Sequence, residues 1–394
     1  MITQKNNKTL FSQNFIHLTI SVFLISTAFY FLMPTLPVYL EEVLHAGKQE
    51  VGLIIGTYTL AALLVRPISG YALDTLGRKW IFLTTLSLFS ALFLIYPFAV
   101  TLLPLLILRF LHGLNWGAST TAGFTLVVDL VPVEKRGRGI SYFGLSFTVA
   151  MSIGPVIGLK VMGENHFTAL FLVAGGVSVL GILMASLVKY PAFKRPENPV
   201  FSWKMLIARQ SVPVALNMLI LAASYGGVLT FITLYAKEND LNSYTGWFFT
   251  ITAIGTALTR VFSGSLFDRY GPTWISVFGM IAVSGGLLLL AHAPVLSFFL
   301  ISGFVIGVGF GVIFPTLQTM ANNVVTRDRR GAANSTFLTG LDLGIGLGSV
   351  LTGVLSEPLG LAWTYNSAAL LAFSGLVFFL VVSLPHYMKF KQDQ

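Results

Sequence analysis

The stretch Arg66-Pro-Ile-Ser-Gly70-Tyr-Ala-Leu-Asp74-Thr-Leu-Gly77-Arg78-Lys79-Trp80 decides the fold, because the chain writes it twice. At an offset of 194 residues, Arg260, Ser263, Gly264, Asp268, Gly271 and Trp274 repeat Arg66, Ser69, Gly70, Asp74, Gly77 and Trp80. The same register carries Gly113 onto Gly307, Gly117 onto Gly311, Asp129 onto Asn323, Arg136-Gly137 onto Arg330-Gly331, and Gly154 onto Gly348. Scattered glycines coincide by chance in so glycine-rich a chain. One constant register through a helix pair, a loop and the next helix pair does not. The repeat predicts two halves related by an axis along the membrane normal, an arrangement found in carriers whose site lies between the halves.

Composition places those halves in a bilayer. Of 394 residues, 55% are hydrophobic and 10% charged, with mean hydropathy +0.80; a soluble domain carries about 25% charged residues. Apolar runs near the ~20 residues needed to cross a hydrocarbon core follow one another almost without pause. Twelve helices are expected, near 14–40, 50–73, 79–98, 101–130, 138–162, 167–189, 210–236, 243–267, 273–292, 295–325, 331–356 and 361–385. The first segment is too long for the apolar core of a cleavable signal peptide and reads as an uncleaved first helix. The fold class is therefore an all-α polytopic membrane protein: a six-helix bundle over 1–189, a cytoplasmic linker over 190–210 and a second six-helix bundle over 211–394. Pro191, Pro196 and Pro199 argue against helix through the linker, with a short surface helix expected near 203–209.

The charge of +9 is topogenic rather than a nucleic-acid footprint. With the N-terminus inside, eighteen Lys and Arg residues fall in cytoplasmic segments and three (Lys48, Lys160, Lys237) on the opposite side. That asymmetry predicts both termini in the cytoplasm and a cytoplasmic-membrane location. There is no cysteine, hence no disulfide or thiolate metal site. No metal-ligand spacing, nucleophile–base pair or cofactor fingerprint is present, so neither enzyme nor cofactor is expected.

The segment Gly70-x-x-x-Asp74-x-x-Gly77-Arg78-Lys79 resembles the loop signature of the major facilitator superfamily, and its second copy lies where that family places it. The resemblance covers the whole chain. It implies a conformational gate in which Asp74, Arg78 and Asp129 make cytoplasmic charge contacts that break on inward opening. The second half offers Asp268 and Arg269, but Gly271-Pro272-Thr273 replaces Gly77-Arg78-Lys79 and Asn323 stands for Asp129, so its latch is expected to be weaker. Arg109, followed by His112, Gly113 and Gly117, resembles the family's second motif, in which a buried arginine helps tune a proton site. His112 is able to titrate there or to remain neutral and hydrogen-bonded. Gly154-Pro155-x-x-Gly158 resembles the motif of the family's antiporters and exporters, although Ala150 and Leu159 replace its first and last glycines. Pro34 and Pro37 in the first segment are also like the exporter branch.

Asp342 is the one acidic residue placed centrally in an apolar run. A carboxylate at mid-helix costs roughly 2.5–3.5 kcal/mol on insertion scales, so it faces the protein interior and marks an ion or substrate route. The carboxylates that many drug–proton antiporters of the family carry in helix 1 or helix 4 are absent here. A carboxyl that trades a proton as its surroundings change from dry to wet is what a coupled carrier needs, and Asp342 is the expected site. A bland alternative is that it only hydrogen-bonds a neighbouring helix. Its repeat equivalent is Thr148. Residues expected to line a small-molecule site are Tyr30, Tyr58, Asn115, Trp116, Tyr142, Asn217, Tyr225, Gln318 and Asn334, which mix aromatic faces with hydrogen-bonding groups. The resulting expectation is a monomeric, proton-coupled exporter of a small amphiphilic compound, with protons and the lipid bilayer as its other partners. Import of a sugar, metabolite or metallophore on the same fold, or a non-transporting receptor, remain the alternatives.

Overall fold

The computed structural model describes residues 10–46, 48–163, 166–193, 205–293 and 295–391. Twelve long helices run through them: α1 (Gln13–Glu42), α2 (Lys48–Thr75), α3 (Arg78–Phe93), α4 (Leu102–Leu130), α5 (Arg136–Met162), α6 (Phe167–Ser186), α7 (Val212–Glu238), α8 (Thr245–Tyr270), α9 (Thr273–Ala291), α10 (Leu296–Asn323), α11 (Arg330–Leu359) and α12 (Leu361–Phe378). Eight of the described helical spans are long and apolar enough to cross a membrane by length and composition. Of the other four, α3 has only 16 residues and α2, α4 and α8 each carry an internal arginine.

Two boundaries differ from expectation, both at prolines. The third helix stops at Phe93 rather than near 98, because Pro97 has no N–H to donate; the chain makes a 3₁₀ turn over Tyr96–Phe98 instead. The twelfth is interrupted by a π turn over Phe379–Ser383 before α13 (Leu384–Phe390). Pro385, at the start of α13, cannot bond back to the preceding turn, and the wider turn absorbs the missing bond. Of the surface helix expected near 203–209, residues 203 and 204 lie outside the described residues; 205–209 form no α-helix, Ala208 is extended, and only a 3₁₀ turn over Arg209–Ser211 leads into α7.

The chain forms two compact units: 1–65 with 72–199, and 66–71 with 200–394. In the first, α1 packs on α5 and α6, and α3 on α4 and α6. Gly154 and Gly158 bring α5 onto α1 so closely that a Cβ on Gly154 would lie 2.6 Å from the Tyr30 Cβ, and one on Gly158 2.7 Å from the Phe31 carbonyl oxygen. Small residues at this spacing are how membrane helices approach without a hydrophobic driving force between them. Gly154→Val is therefore expected to destabilise by about 1–3 kcal/mol through overpacking, and an unchanged unfolding temperature in detergent would contradict that packing.

In the second unit α7 packs on α11 and α12, α10 on α8 and α9, and α9 on α12. Gly344 and Gly348 of α11 rest on the α7 backbone at Leu219 and Ala223. Six residues of α2 belong to this unit because Gly70 sits against α11, where a Cβ would meet the Ser335 Cβ at 2.6 Å. Trp80 and Trp274, equivalent in the repeat, are 69% and 79% exposed. Exposed indoles beside these loops suit the headgroup level of a bilayer.

Candidate functional site

The loop signature builds a closed charge cluster in the first unit. Gly77 takes φ 97°, a left-handed conformation that lets α2 turn directly into α3. That turn aims Arg78 back at the end of α2. Its Nη1 donates to the Leu73 carbonyl at 2.7 Å, its Nη2 pairs with Asp74 at 3.2 Å, and its Nε pairs with Asp129, at the end of α4, at 3.1 Å. All three side chains are nearly inaccessible. Phe193, from the segment after α6, lies over the guanidinium at 5.6 Å and closes against Gly77. One arginine thus ties three helices with every charge satisfied. Lys79, the last residue of the signature, instead lies out over the Trp80 ring at 5.4 Å.

The second unit turns at the equivalent point with different residues. Gly271 repeats the positive φ (76°) with open space where Gly77 meets Phe193. Pro272 occupies the position of Arg78. Arg269 is exposed over Tyr270 at 5.1 Å, and Asp268 is half-buried. The C-terminal end of α10 is joined to α11 by amides. Asn334 Nδ2 donates to Asn322 Oδ1 at 2.8 Å, and its Oδ1 accepts from Gln318 Nε2 at 3.1 Å and Asn322 Nδ2 at 3.0 Å. None of the three is exposed. Asn334→Leu strands two of these amides in a dry interior, where each orphaned group costs about 1–3 kcal/mol. A drop in unfolding temperature larger than that of Ser374→Ala, a change at an exposed hydroxyl, is the expected result.

Asp342 has a partner. Its Oδ2 lies 2.6 Å from Nε of Arg66, with side-chain exposures of 17% and 5%. The two are 276 positions apart in sequence, and both fall in the second unit. The guanidinium accounts for the carboxylate inside an apolar helix, since a buried ion survives when paired and hydrogen-bonded.

Arg109 is 3% exposed in α4 and lies over the Tyr58 ring at 4.4 Å. Its Nε and Nη1 are buried and have no hydrogen-bond partner among the described residues. His112 is fully buried one turn further on, its Nδ1 hydrogen-bonded to the Tyr96 hydroxyl at 3.0 Å, with the Phe89 and Phe93 rings at 4.0 and 4.7 Å. Phe29 gathers three of the expected site aromatics, standing 5.1 Å from Tyr30, 5.0 Å from Tyr58 and 4.5 Å from Trp116. Tyr58, Trp116, Arg109 and His112 thus meet in one cation-bearing aromatic cluster.

The remaining expected residues lie elsewhere. Asn115 bonds its own helix at Leu111, Tyr142 packs on Phe11, and Tyr225 packs on Phe310 at 4.8 Å. Asn217 is fully buried and donates to the Gly375 carbonyl at 2.7 Å, tying α7 to α12. Pro155 lies within α5 without ending it. Arg66, Tyr96 and Phe193 were not among the expected residues. The repeat, which keeps Arg66 as Arg260 while exchanging Asp342 for Thr148, was the one available signal for Arg66.

With this geometry in view, the family model "Major Facilitator Superfamily" matches residues 18–245 and 238–393. The chain belongs to the major facilitator superfamily. It is a multi-pass secondary transporter. Among curated relatives, an uncharacterized MFS-type transporter of Methanocaldococcus jannaschii is 24% identical over 375 residues, covering 92% of this chain and 94% of that protein. The uncharacterized MFS-type transporter YhhS of Escherichia coli is 27% identical over 347 residues, covering 86% and 84%. Among solved structures, the human organic anion transporter MFSD10 (TETRAN) superposes with TM-score 0.82 at 14% identity, covering 93% of this chain and 98% of that one. The Escherichia coli fucose:proton symporter FucP gives 0.76 at 17% identity, with coverages of 92% and 97%. These likenesses are of fold.

Proposed function

We propose that this facilitator works by alternating access as a proton-coupled exporter of a small amphiphilic organic compound. The observation that carries the reading is the Arg66–Asp342 pair, a carboxylate held by one cation inside membrane-spanning helices. A proton on Asp342 removes the charge that holds Arg66, and a wetter environment on the other side of the membrane takes the proton back. Proton and guanidinium thus compete for one carboxylate, and that competition couples proton movement to a change of state. The Asp74–Arg78–Asp129 cluster is the conformational gate that stabilises the state with the cytoplasmic side closed. Arg109 and His112 are proton-handling residues within the first unit, buried together beside Tyr58 and Tyr96. Tyr30, Tyr58 and Trp116, gathered on Phe29, supply aromatic faces for substrate within the first unit, while the amide N–H groups of Asn217, Gln318 and Asn334 bond within the helix packing of the second.

Inverted membrane vesicles acidified inside by respiration, with a fluorescent amine reporting the gradient, test the coupling. Adding an exported compound is expected to dissipate the acid interior in vesicles carrying the protein; a gradient left unchanged by every compound that the protein moves refutes proton antiport. The cysteine-free sequence also permits a clean topology test. Lys389→Cys, in α13, is expected to react with an impermeant maleimide in inverted vesicles and not in intact cells, and the reverse pattern would place the C-terminus outside.

A further inference from the structure

Three helix ends meet on the side of the second unit away from the Gly271 turn: the last residues of α7 and α9 and the first of α12. They border a cavity of about 500 Å³, which shares Ala291, His292 and Ala362 with a groove of about 680 Å³ between α9 and α12. At the helix ends the hydrogen-bond donors are spent inside the protein. The Tyr235 hydroxyl donates to the Leu290 carbonyl at 2.7 Å, and Asn239 Nδ2 to the Tyr235 carbonyl at 2.8 Å. His292 Nδ1 lies 3.0 Å from the Leu288 carbonyl, which can only accept. In the neutral ring Nδ1 therefore carries the proton and Nε2 is left as an acceptor. Glu238, exposed at the end of α7, adds a carboxylate. The terminal carbonyls of α7 and α9 add partial negative charge. This end is built of acceptors and negative charge, and it suits an ammonium.

One turn along α12 the chemistry reverses. Trp363 brings an indole N–H and Asn366 a carboxamide, beside the electropositive first turn of that helix. Beyond them the walls are apolar and exposed: Leu288 of α9, with Leu370 and Phe373 of α12. From Ala362 to Phe373 the helix rises roughly 16 Å. An exposed tryptophan at the end of a membrane-spanning helix sits at headgroup level, so the apolar wall runs from there into the bilayer. Acceptors, donors and apolar wall thus follow in one line, and ammonium, phosphate and acyl chain follow in the same order in an aminophospholipid.

We propose that this groove binds a phospholipid with a primary-amine headgroup, of which phosphatidylethanolamine is the simplest. Glu238 and His292 receive its ammonium, Trp363 and Asn366 its phosphate, and the α9–α12 groove the first part of one acyl chain. A primary ammonium brings three N–H donors to these acceptors, in charge-assisted bonds. The methylated nitrogen of a choline lipid has none, and a glycerol headgroup brings no cation. The site shares no residue with the Arg66–Asp342 pair.

Dioctanoyl lipids with ethanolamine, choline and glycerol headgroups provide the test. Each is titrated into delipidated full-length protein in one uncharged detergent while the unfolding temperature is followed, since a ligand of the folded state raises it. The ethanolamine lipid is expected to give the largest rise. Glu238→Gln is expected to weaken its binding about tenfold and to leave the smaller effect of the choline lipid unchanged. Ala362→Phe, which puts a ring where cavity and groove join, is expected to abolish the preference. Equal shifts with the three lipids, no shift with any, or ethanolamine-lipid binding unchanged in folded Glu238→Gln protein overturns the proposal. Dodecylammonium, with the amine and a chain but no phosphate, separates a lipid site from a site for simple amphiphilic amines. A shift equal to or larger than that of the ethanolamine lipid also overturns the proposal. Glu238 and Ala362 are both exposed, so the variants are expected to fold, and the comparison of lipids on the wild type stands in any case.

Discussion

Asp342→Asn lowers the folding stability of this carrier by about 3–5 kcal/mol, the usual cost of removing one partner from a buried ion pair. Arg66 is only 5% exposed, so its charge cannot turn to water once the 2.6 Å partner is neutral. The companion variant Arg66→Gln is expected to cost a similar amount for the opposite reason, an orphaned carboxylate. Joining the two changes removes both charges together and returns part of the loss. The coupling energy in this double-mutant cycle is expected to be about 2 kcal/mol or more. Unfolding midpoints of the four proteins in one detergent decide it; strictly additive losses would mean that the two side chains act independently.

Arg78→Gln is the second change with a large expected effect. Arg78 bridges Asp74, Asp129 and the Leu73 carbonyl, and glutamine neutralises it while leaving both carboxylates in place. Two buried acids without their guanidinium favour any arrangement that lets water in, which means opening of the helix ends and departure of Phe193. A single cysteine replacing Phe193 reports that opening without background, because the chain has no other thiol. Its maleimide labelling is expected to rise about tenfold for each 1.4 kcal/mol by which opening becomes easier. An unchanged labelling rate would mean that the cluster does not hold the gate. No comparable effect is expected from Arg269→Gln, since that side chain is exposed over Tyr270.

The fold was legible because its main signals are local. A loop needing glycine at Gly77 and Gly271, apolar runs of membrane-crossing length, and a constant 194-residue register each survive in a single sequence. Helix ends were legible except at Pro97 and Pro385, where a missing donor converts the expected helix into a 3₁₀ or a π turn. The Asp74–Arg78–Asp129 cluster was legible because the loop brings two of its members within four residues of each other.

The rest of the site depends on which face of each helix turns inward. These helices are apolar nearly all round, so periodicity does not separate a lipid-facing side from an interior one. From sequence, Gln318, Asn334 and Asn217 look like polar groups for a substrate; in the structure their amide N–H groups are buried and donate to one another and to neighbouring backbone. Conversely, the pairing of Arg66 with Asp342 spans 276 positions, and no local pattern announces it. Tyr96 is equally silent: a loop aromatic whose hydroxyl meets His112 only because the 3₁₀ turn at Pro97 folds it back over α4.

The central claim is that proton and Arg66 compete for Asp342 and that this competition drives transport. Purified protein in proteoliposomes, with substrate inside and an imposed pH gradient, tests it most directly by comparing wild type with Asp342→Asn and with the Arg66→Gln, Asp342→Asn double variant. The account predicts gradient-driven flux in the wild type and its loss in both variants, including the double variant whose stability is partly restored. Gradient-driven flux that survives unchanged in either variant contradicts it.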